Sequence, residues 1–111
     1  MHPQQTLFVY VTIGSAPEAG TLARTLVQER LLACANIIPA IHSIYWWQGK
    51  MEESNEAVLV GKTTQHRYPA LEARVRQLHP YETPCITALP ITAGFAPFLQ
   101  WVAHETQPHQ E

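Results

Sequence analysis

The chain has 111 residues, enough for one domain that buries about two-thirds of its unfolded surface without disulfide staples. Its formal net charge is -2 and its 7 Lys and Arg residues are scattered, which argues against the clustered basic footprint of a nucleic-acid binder. There is no Asp, which removes Asp-based calcium loops and Asp-containing triads, and no apolar run approaches the roughly 20 residues of a membrane span.

Leu7 to Ile13, LFVYVTI, is rich in β-branched and aromatic residues and predicts a strand that is apolar on both faces. GSAPEAG breaks it. Ser15 or Ala16 then precedes a helix with Pro17 in its first turn and Glu18 near the positive dipole end, running to about Arg30 or Leu31. Cys34 to Trp47 predicts a long strand bent or bulged near Pro39, which cannot donate to a ladder. QGKMEESNE reads as the connection to a strand at Glu56 to Thr64, closing a hairpin with Glu52, Glu53 and Glu56 as a solvated acidic tip. His66 to Leu78 predicts a helix capped by Thr63 or Thr64. Thr83 to Ile91 is a strand whose terminal prolines favour an edge, and Gly94 to Glu105 is a last helix with Phe95, Phe98, Leu99, Trp101 and Val102 as its apolar set.

The order β-α-β-β-α-β-α is a split βαβ layout, an α+β ferredoxin-like βαββαβ sandwich with an antiparallel sheet and an extra C-terminal helix. One domain over 1–111 is expected, with its core at about 6–105 and a tail at 106–111. Two helices cover one sheet face. The apolar second face and a charged share of only 14% point to a homo-oligomer whose sheets pack together, or to cover by the last helix.

Chemistry concentrates in HPYETP, His79 to Pro84. His79 reads either as a helix stop before Pro80 or as a metal ligand with Glu82 and a thiol, Cys34 or Cys85. Each Cys reads equally as a small buried hydrophobe. Trp46 and Trp47 face opposite sides of a strand, so one is expected at a subunit contact; with Tyr81 and Lys62 they are the pocket or interface candidates. Lys62 and Thr63 end a strand near a helix start, where an anion could sit. His2, His42, His66, His104 and His109 show no paired spacing and read as surface or packing residues. No nucleophile elbow accompanies His79 and Glu82, so no enzymatic activity is expected.

RLLACANIIPAIHSIYWWQGKME (Arg30 to Glu52), Lys62-Thr63, LHPYETP (Leu78 to Pro84), LPI (Leu89 to Ile91) and Trp101 together resemble the CutA family of divalent-cation tolerance proteins, over about Phe8 to Glu105. The resemblance implies a very stable homotrimer of PII-like architecture and a link to metal tolerance, with copper or another divalent metal such as zinc as the bound ion and no organic cofactor. The alternative it carries is a PII-like signalling or scaffold trimer binding small anions or a protein partner between subunits. The chain departs from the commoner pattern at Cys85, where many members carry Glu; a thiol there favours Cu(I) or Zn over hard cations. Gly14 and Ser15 stand where some bacterial members carry cysteines. With no secretory leader evident, a cytoplasmic setting with reduced thiols is expected.

Overall fold

Strand β1 (Thr6–Ile13) alternates faces, so Val9, Val11 and Ile13 enter one core while Phe8 and Tyr10 turn the other way. The computed structural model describes residues 2–108, so His109 and the last residues of the expected tail lie outside it. Helix α1 (Ala16–Gln28) starts at Ser15, whose Oγ accepts from the Glu18 N–H at 3.3 Å, with Pro17 in the first turn. It stops two or three residues sooner than its apolar spacing suggests. Arg30 takes φ 63°, Leu31 N–H donates to the Leu26 carbonyl and Arg30 N–H to that of Val27. That is a Schellman stop with Arg in the left-handed position usually given to Gly.

Strand β2 (Cys34–Trp47) bulges between Ile38 and Ile41, at Pro39 as expected. Its partner β3 (Lys50–Thr64) begins six residues before the expected start, because the connection is only Gln48-Gly49. Both have positive φ, 50° and 79°, the two-residue hairpin turn whose twist matches the strands. KMEESN is therefore strand, and the acidic residues line an arm instead of a tip.

Helix α2 (Tyr68–Leu78) is preceded by Arg67 with no side-chain cap; the Thr64 carbonyl accepts the Arg67 N–H, so neither threonine hydroxyl caps the helix. Strand β4 (Ile86–Pro90) is shorter than expected, since Thr83 to Cys85 stay outside the ladder. The sheet order is β2-β3-β1-β4, antiparallel throughout, with β4 at an edge. Helices α1 and α2 bury Leu22, Leu26, Leu71 and Val75 against Val9, Val11, Leu59 and Leu32. Helix α3 (Ala96–Glu105) rests on β1 and β3, and its buried residue, Val102, lies outside that cluster. Phe95, Phe98 and Trp101 remain exposed, so α3 covers little of the second face.

Candidate functional site

Three chain segments meet in one corner: the β1–α1 junction, the point at Glu56 where β3 passes from exposed to buried, and the turn after α2. The register that pairs Ile13 with Ala57 brings Gly14 opposite Glu56. In the first turn of α1, Glu18 Oε2 accepts from Ser15 Oγ at 2.8 Å. A Cβ on Gly14 would lie 2.8 Å from that same Oε2 and 3.6 Å from the Tyr81 hydroxyl, so the bare glycine leaves room for both groups.

His79 is the residue that ends α2, and it is 6% exposed. Its Nε2–H donates to the Thr12 carbonyl at 2.7 Å, and its Nδ1 accepts from the Tyr81 N–H at 3.2 Å. Those partners define the neutral Nε2–H tautomer. Both nitrogens are occupied in fixing the turn to β1, so a metal at His79 would have to displace one of these bonds. The rings of His79 and Tyr81 meet edge to face at 4.6 Å.

Held this way, Tyr81 reaches Glu56, donating its hydroxyl to Oε2 at 2.9 Å. Glu56 is 8% exposed, although it follows a run of exposed strand residues. The Tyr81 phenol is pushed up to about 12, first by burial, then by its hydrogen bond to Glu56, and then by the charges of Glu56 and Glu18 and by Tyr45. Nearby, the Tyr45 hydroxyl lies 3.2 Å from Ser54 Oγ. The result is a phenolic proton kept among carboxylates, in a corner built from oxygen donors.

The other expected site residues are dispersed. Glu82 and Cys85 are exposed on the same turn. Cys34 is half-buried on β2, the opposite edge of the sheet from β4. Three strand spacings, about 14 Å, separate those edges, so one protomer does not bring both thiols to His79. Among the described residues no three His, Cys or Glu side chains are grouped to hold a metal ion. Lys62 points away from the helix start: its Nζ donates to Asn36 Oδ1 at 3.1 Å and lies 5.9 Å from the Phe8 ring centroid. Trp46 and Trp47 flank the hairpin turn, exposed on opposite faces.

Glu56 and Glu18 are the two residues of this corner that sequence reasoning misses, since it takes one for a solvated tip and the other for a dipole partner. A signal for Glu56 is present: it opens the apolar run EAVLV, where a strand enters the core.

A family model described as "CutA1 divalent ion tolerance protein" matches residues 7–105. The divalent-cation tolerance protein CutA of Thermus thermophilus is 48% identical over 98 residues, 88% of this chain and 95% of that one. The human protein CutA is 43% identical over 105 residues, of which this chain spans only 59% of the length. Among solved structures, that of the Thermus thermophilus protein superposes with TM-score 0.89 at 46% identity, covering 92% of this chain and 99% of that one. The Archaeoglobus fulgidus protein, described as a periplasmic divalent cation tolerance protein, gives 0.88 at 36% identity, covering 92% and 99%.

Proposed function

The chain belongs to the CutA1 divalent ion tolerance family, and on that premise we propose that it is a non-enzymatic, cytoplasmic homotrimer that binds a divalent cation, copper(II) or zinc, where the HPYETP turn meets the sheet. The observation that carries this reading is the Tyr81 hydroxyl held by the nearly buried Glu56, with Glu18 beside it. A divalent cation there takes over the role of the phenolic proton, with Glu56, Glu18 and Tyr81 as oxygen donors. His79 contributes by orienting Tyr81. Glu82 and Cys85 stand exposed on the same turn as Tyr81. Among divalent ions copper(II) is favoured by intrinsic affinity, ahead of zinc. Trimerisation is supported by the apolar side chains left open on the second face and on the arm, among them Ile38, Trp47 and Leu89. The alternative reading, a PII-like trimer that takes small anions or a protein partner between subunits, would use Lys62, which within the protomer bonds to Asn36 and lies over Phe8.

Calorimetry with copper(II) and zinc tests the reading on wild type, Glu56→Gln, Tyr81→Phe and Cys85→Ser. Glu56→Gln is expected to lose on the order of tenfold or more in affinity, and binding to weaken as acid protonates the carboxylates. Unchanged affinity in Glu56→Gln, with loss in Cys85→Ser, would move the site to the thiol.

A further inference from the structure

The helical side of the protomer carries a groove of about 400 Å³ between the first half of α1 and the end of α2. Its size falls within the range of small-molecule sites. The buried side chains Ile13 and Leu22 reach it from β1 and α1. Leu78, the last residue of α2, and Pro80 wall the other side. Leu78 is 41% exposed: Pro80 stops the helix, and the His79 bond to the Thr12 carbonyl draws the chain toward β1 without covering it. On α1, Glu18, Thr21, Leu22 and Thr25 line the groove at spacings of three and four, one stripe of the helix. Thr21 Oγ1 donates to the Pro17 carbonyl at 3.1 Å and Thr25 Oγ1 to the Thr21 carbonyl at 3.2 Å. Both hydroxyl protons are spent within the helix, so this wall calls for an apolar ligand body.

The lining holds one carboxylate, Glu18, and no basic residue. Ser15 Oγ donates to Glu18 Oε2 at 2.8 Å, and Oε1 has no donor among the described residues. Arg74, which α2 turns toward α1, is spent on Glu29 through two hydrogen bonds of 2.9 and 2.8 Å. The charges of Glu56 and Glu18 both act on the nearby Tyr81 phenol, so the Glu18 end of the groove is a region of negative potential. We propose that the groove binds a small organic amine, with its ammonium at Glu18 and its aliphatic or aromatic body between Leu78 and the Thr21–Thr25 stripe. Charge complementarity selects the head: an anionic head is repelled, and a bare metal ion finds only one lining carboxylate. Length selects the body, because the helix rises about 10 Å from Glu18 to Thr25, the reach of an extended six-carbon amine. The apolar side chains assigned above to the subunit contact lie on the second face and the arm, so the groove stays open in that assembly. It shares only Glu18 with the oxygen-donor corner and stands whether or not a metal binds there.

The test follows the backbone amide resonances of the full chain in its native assembly, free of metal, with three probes of equal length: hexylamine, hexanol and hexanoate. Hexylamine should give saturable shifts at Glu18, Thr21, Leu22, Thr25 and Leu78. It should bind about two- to fivefold more tightly than hexanol, the scale of an exposed ion pair, and hexanoate more weakly than either. Glu18→Gln should bring hexylamine down to the affinity of hexanol. Thr21→Trp fills the groove from an exposed helix position and should abolish binding of all three, while amides away from the groove keep their positions. Hexylamine shifts that fail to saturate, or that survive Thr21→Trp, overturn the groove. A preference for hexylamine that Glu18→Gln leaves unchanged overturns the ammonium head. With no metal present, neither result bears on the oxygen-donor corner.

Discussion

The two halves of β3 make a sharp contrast within one unbroken strand. From Ala57 to Thr64 nearly every side chain is buried between the helical layer and the second face; from Lys50 to Asn55 nearly every one is exposed. Backbone pairing with β2 continues through both. Ladder hydrogen bonds alone therefore do not distinguish a structural strand from an arm; what stands on its faces does. Glu56 is the boundary residue, and it is there that Tyr81 closes over the strand and the candidate site forms.

The largest effect should come from disturbing the buried half. Leu59 is fully buried among Val9, Val11 and Leu32, so Leu59→Ala should cost about 2–5 kcal/mol in denaturant unfolding. The same truncation in the exposed half, Trp46→Ala, starts from a side chain 76% exposed and should change protomer stability by about 0.5 kcal/mol or less. If sedimentation shows Trp46→Ala weakening assembly, the arm's apolar residues serve association; a large loss of protomer stability would erase the contrast.

At the boundary the effect should be intermediate. Tyr81→Phe removes the donor from a nearly buried Glu56 carboxylate and should destabilise by about 1–3 kcal/mol, measured by the same unfolding curves. Alkaline titration offers a gentler probe. Tyr81 and Tyr68 are both pushed up to about 12, each chiefly by burial and then by a neighbouring carboxylate, Glu56 for Tyr81 and Glu72 for Tyr68. A raised folded value means that the native state holds its proton longer, so stability is complete below about pH 10 and falls as pH climbs toward 12. In Tyr81→Phe that decline should be shallower.

The buried half and its topology are legible in the sequence because alternation, helical spacing and turn residues all act locally. LFVYVTI, the Ser15–Pro17 start of α1 and the bulge at Pro39 each carry their own signal. The arm is illegible for the same reason: KMEESN has no buried face to impose a pattern, and its strand conformation comes from the Gln48-Gly49 turn and from pairing with β2. HPYETP is visible as chemistry, but its partners are not. Glu56, Glu18 and Thr12 come to it from distant segments, through the register of β1 with β3 and the path of the chain after α2. Residue types alone make His79 a ligand candidate; its two hydrogen bonds make it the anchor of the turn. Cys85 draws attention by its place after the motif, yet it lies exposed outside the ladder, an edge-to-edge distance from Cys34.

The most direct test of the oxygen-donor corner is a crystal soaked in copper(II) and read through its anomalous signal. The expected result is a peak bounded by Glu56, Glu18 and the Tyr81 hydroxyl, with the Tyr81–Glu56 hydrogen bond broken and the His79 ring still bonded to the Thr12 carbonyl. A peak centred on Cys85, Cys34 or a displaced His79 ring, with the Tyr81–Glu56 bond intact, would contradict it.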